Sequence, residues 1–74
     1  MNEGILWFDS NLKQELVSKI KRAADHYQSR FGLRPTLCCL NTVDFGENPT
    51  EIEGINLRAE SNVLRHHLWI GVEN

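Results

Sequence analysis

Seventy-four residues with eight bases, ten acids and a net charge of −2 make one domain, residues 1–74, with a single core worth roughly 3–5 kcal/mol of net stability. An apolar fraction of 41% and a charged fraction of 24% exclude a disordered chain, and the net acidity weighs against nucleic acid as a partner. No apolar run reaches the roughly 18–20 residues of a membrane helix, the start Met1-Asn2-Glu3-Gly4 lacks the basic and apolar regions of a signal peptide, and Cys38 and Cys39 are adjacent. A bridge spanning a loop is therefore closed to them, and a cytoplasmic, reduced setting is expected.

Residues 4–8 (G-I-L-W-F) form an almost wholly apolar run and predict a buried strand. A helix is predicted over residues 11–31, capped by Asp9 or Ser10. Leu12, Leu16, Ile20, Ala23, Ala24, Tyr27 and Phe31 recur at spacings of three and four, which makes one apolar stripe wide enough to seat on a sheet. Glu15 with Lys19, and Lys21 with Asp25, stand one turn apart as opposite charges. Gly32 supplies a left-handed stop and Pro35 bars continuation. Residues 36–41 (T-L-C-C-L-N) predict a second strand, parallel to the first because a helix joins them. Residues 42–54 hold two glycines, a proline and four acids and read as a loop with at most one helical turn, anchored by Phe45. Residues 55–59 (I-N-L-R-A) and 66–73 (H-H-L-W-I-G-V-E) complete the set as a strand pair.

The expected fold is α+β: a mixed four-stranded sheet in the order β-α-β-β-β with one long helix packed on one face. One helix covers one side of such a sheet. The two central strands, however, are apolar on both sides, with Ile5 and Trp7 against Leu6 and Phe8, and Leu37 and Cys39 against Cys38 and Leu40. In the last strand Leu68, Ile70 and Val72 share a face with His66, while His67, Trp69, Gly71 and Glu73 share the other. The second set is the predicted working surface. Trp7, Arg58, His67 and Trp69 are its candidate interface residues, and either a second subunit or the loop 42–54 is expected to cover it.

Chemistry-bearing patterns are sparse. Neighbouring strand residues point to opposite faces, so Cys38, Cys39, His66 and His67 offer at most one Cys and one His per face, two ligands short of a zinc site. Glu47, Glu51 and Glu53 lack the order of a calcium loop, and the five glycines make no phosphate-binding loop. Cysteines in mid-strand are protonated by burial, and no base is oriented onto them. No catalytic, metal or cofactor residues are assigned. Charge is uneven: residues 10–35 carry six bases against two acids, a net of +4, while residues 36–54 carry four acids and no base. Such patches are either solvated or complementary across an interface.

The runs I-L-W-F-D, F-G-L-R-P-T-L-C-C and V-L-R-H-H-L-W-I-G-V span nearly the whole chain. Their pattern resembles a group of small, uncharacterised bacterial proteins with endings of the form V-L-P-x-H-x-W-I-G. Arg65 stands where that pattern has proline, so the turn before the last strand is expected to differ. The resemblance implies a stand-alone bacterial protein and carries no activity or site. Three readings of function follow. The first is a self-associating protein-interaction or adaptor module, a homodimer through the uncovered face. The second is a nucleic-acid or nucleotide binder on an aromatic and arginine platform. The third is a minimal enzyme pairing a cysteine with His67.

Overall fold

Gly4–Phe8 forms strand β1 and Leu16–Phe31 the helix α1 in the computed structural model, which describes residues 4–8, 15–46 and 50–72. The expected caps Asp9 and Ser10, and the first turn with Leu12, lie outside the described residues. Ile20, Ala23, Ala24 and Tyr27 are buried, and Leu16, Val17 and Phe31 flank them half-buried, which is the predicted stripe. At its C-terminus Gly32 takes φ 80° and donates its amide to the Gln28 carbonyl at 2.8 Å, the left-handed stop that a residue without Cβ adopts freely. The one-turn pair Lys21 and Asp25 gives way to longer reaches. Lys21 meets Glu53 at 3.1 Å and Arg34 meets Asp25 at 3.1 Å, all exposed and worth little. The first links the basic helix to the acidic segment within one chain.

Leu37–Leu40 forms β2, Thr42–Phe45 a single helical turn α2, Glu51–Ile52 β3, Ile55–Ala59 β4 and His67–Gly71 β5. The sheet is mixed, with five strands in the order β1-β5-β2-β4-β3. Among the described residues five strands stand where four were expected, and the one helical turn allowed in residues 42–54 forms as α2 beside the long helix; two details account for this. Asn41 caps α2 by accepting from the Val43 amide at 2.9 Å. Glu53 and Gly54 both take positive φ, 49° and 82°, the signature of a two-residue type I′ hairpin, so the segment read as loop returns as β3.

Strands β1 and β2 are parallel, as predicted, but they are not neighbours. Strand β5 lies between them, antiparallel to both, which is a split β-α-β arrangement. The last two long strands are therefore not a pair: β4 lies parallel to β2 on its far side. The core fills the space between α1 and one sheet face, where Cys38, Leu40, Ile52, Ile55, Leu57, Leu68 and Ile70 are buried with the helix stripe.

Candidate functional site

The sheet face away from α1 is built by register. Leu6 pairs with Trp69, Trp69 with Cys39, and Cys39 with Arg58, giving one row across four strands. Beside it Gly4, Gly71, Leu37, Asn56 and Glu51 form a second row, and Phe8 with His67 begins a third. Paired residues share a face, so these side chains lie together. Leu6 and Phe8 are 62% and 59% exposed, a large apolar exposure for two residues on a strand that also contributes to the core.

Trp69 is held by a glycine. A Cβ placed on Gly4 would fall within the indole, so Gly4 is the gap in β1 across which the ring lies. An aromatic ring over a strand glycine replaces the packing that the missing side chain cannot give. Phe8 and His67 meet with ring centroids 4.8 Å apart at 49°, and Nδ1 of His67 lies 3.0 Å from the Arg65 carbonyl. The imidazole is thus oriented by its own turn and by Phe8, with Cys39 diagonal to it across the β5–β2 pair.

Two side chains from the α2 turn set where β5 begins. The Asn41 amide donates to the Val63 carbonyl at 2.7 Å. The Asp44 carboxylate accepts from the Arg65 Nε and from the His66 backbone amide, both at 2.6 Å. Burial alone would raise the Asp44 carboxyl, but these two hydrogen bonds and the charges of Arg65 and His66 outweigh it and hold it below the ordinary carboxylate range. This clamp keeps His66 at φ 66°, outside the strand, with Arg65 supplying the guanidinium that Asp44 binds. His66 is therefore a turn residue, not a member of the Leu68 and Ile70 face.

Of the four candidate residues, His67, Trp69 and Arg58 lie on the open face and Trp7 does not. Trp7 pairs with Leu68, packs against the core and meets His26 of the helix at 5.2 Å. Leu6, Phe8 and Cys39 complete the surface in its place. Parity along a single strand cannot say which of its two faces is the helix side; the pairing Leu6 with Trp69 can. Phe45, the expected anchor of a loop over this surface, packs on the helix side instead.

The two cysteines separate by face. Cys38 is in the core, and desolvation, followed by the neighbouring Cys39, pushes its thiol up to about 12. Cys39 is half-buried on the open face. Among the described residues no group of three or more His, Cys, Asp and Glu side chains is placed to hold a metal ion, and no helix is long and apolar enough to cross a membrane. Compared with known protein families, with curated proteins and with solved structures, the chain matches none.

Proposed function

We propose that this is a small protein-interaction module that associates with a second copy of itself through the sheet face away from α1. The observation that carries it is the exposure of Leu6 and Phe8 beside Trp69 and Cys39, a contiguous apolar patch where a monomer ordinarily presents polar groups. Among the described residues the charges on that face are Arg58 and Glu51, opposite in sign, so these two give the face no net charge to repel a second copy. Strands about 4.8 Å apart and residues about 3.4 Å apart give the five-stranded face a span of roughly 20 by 17 Å. That is well short of the roughly 800 Å² per partner of a standard interface, so micromolar association is the expected strength.

Sedimentation equilibrium tests this. The parent should dimerise with a Kd of roughly 10 μM, about −7 kcal/mol. Trp69→Ala should weaken it by roughly 2 kcal/mol or more, about 30-fold in Kd, with the helical circular dichroism retained. A parent that stays monomeric at roughly 100 μM, where even about −6 kcal/mol would register, removes the reading.

A second reading, a platform for single-stranded nucleic acid, draws on Arg58 standing in one row with Trp69 beside the rings of Phe8 and His67. One arginine balanced by Glu51 makes a poor phosphate track, so the first reading is preferred. Binding of a labelled oligonucleotide to the monomer, lost in Arg58→Ala, would reverse that order.

A further inference from the structure

We infer that the free edge of β1 is a second interface, at which two chains pair antiparallel, strand to strand, into one continuous sheet. The two edges of the sheet differ in kind. At one end β3 is two residues long and carries the exposed Glu51, a short, charged edge of the sort that discourages pairing. At the other end β1 runs for five residues, Gly4-Ile5-Leu6-Trp7-Phe8, with no charge and no proline, and its outer side pairs with no strand among the described residues. An apolar edge of that length is a template for another strand.

The sequence of β1 selects a second copy of itself as the occupant. If both helices are to lie on one side of the joined sheet, paired residues must come from the same face, and the only such register that pairs all five residues is centred on Leu6. It sets Leu6 against Leu6, Ile5 against Trp7, and Gly4 against Phe8 of the second copy. Each large ring thus opposes a smaller residue, and the incoming Phe8 meets the indole that already lies over Gly4. Pairing also sets two open faces side by side, doubling a patch that is small for an interface by itself. The inference rests on the edge and not on the face-to-face contact proposed above, and one protein could use both.

The test is a disulfide across the axis. Directly opposed residues in an antiparallel pair have Cα atoms about 4.5–5.5 Å apart, within the span of a disulfide. Leu6→Cys combined with Cys39→Ser should convert to a covalent dimer under mild oxidation. Phe8→Cys combined with Cys39→Ser should not, since four residues of strand, about 13 Å, would separate the two sulfur-bearing positions. Amide exchange over Gly4–Phe8 in the parent should slow as concentration rises through the association range, because pairing occupies backbone amides that a face contact leaves free. Failure of Leu6→Cys to link, linkage of both variants, or unchanged exchange in β1 overturns edge pairing. If that happens while sedimentation still shows a dimer weakened by Trp69→Ala, the face-to-face contact stands alone. A monomer throughout removes both.

Discussion

Asp44 ties three features together at the scale of single residues: the α2 turn, the left-handed His66, and the starting point of β5. Its side chain is 15% exposed and 2.6 Å from Arg65 Nε, so removing the carboxylate leaves the half-buried His66 amide without its acceptor and releases the turn. Asp44→Ala should lower the unfolding free energy at pH 7 by about 1.5–3 kcal/mol, the value of a hydrogen-bonded charge. The sign of its pH dependence follows from a folded-state pKa below the unfolded one. The contribution is complete above the unfolded carboxylate pKa of about 3.9 and is lost as pH falls through the lower, folded value. Urea titrations of parent and variant should therefore converge in acid; a gap that persists at pH values below both would show that the ion is not what stabilises the turn. Gly4 makes the complementary case, in which an absent side chain is the functional feature. Gly4→Ala should cost about 1–3 kcal/mol as an overpacked site and shift the tryptophan emission, since the Trp69 ring must leave its place. Unchanged emission and melting would mean that the indole does not rest on Gly4.

At the scale of elements, the helix was legible because its stripe repeats through four turns and its stop is marked by Gly32 and Pro35. Ile20 lies at the centre of that stripe with no exposure. Ile20→Asp should leave a domain of this size unfolded at room temperature, because it buries an unpaired charge; a cooperative melt close to the parent's would place the stripe outside the core. Strand existence was legible too, while strand order and parity were not. A split arrangement leaves no local mark: nothing in residues 67–71 says that they insert between β1 and β2. The same gap put Trp7 on the wrong face, since the alternation of β1 is apolar on both sides and only its pairing with β5 decides which side meets the helix. The β3–β4 hairpin was missed because its turn is Glu53-Gly54, not the Asn-Gly or Asp-Gly that usually announces two positive φ values.

For the whole molecule, one long helix on a five-stranded sheet leaves the two faces of the described domain unlike in composition. The helix side is filled by buried aliphatic residues, and the far side carries Leu6, Phe8, Cys39 and Trp69. Residues 66–73 by themselves already marked His67 and Trp69 as a surface apart from the core; the partners of that surface came only with the register. The most direct test of its role uses a group already placed within it. Cys39 lies between Trp69 and Arg58 on the open face, while Cys38, with a thiol near 12, stays unreactive and provides an internal control. Alkylation of the native protein with excess iodoacetamide, followed by mass spectrometry, gives the rate at Cys39 alone. With a Kd of roughly 10 μM, Cys39 should react several-fold more slowly at about 100 μM protein than at about 1 μM, and Trp69→Ala should abolish the difference. Equal rates at the two concentrations would contradict an association that covers this face.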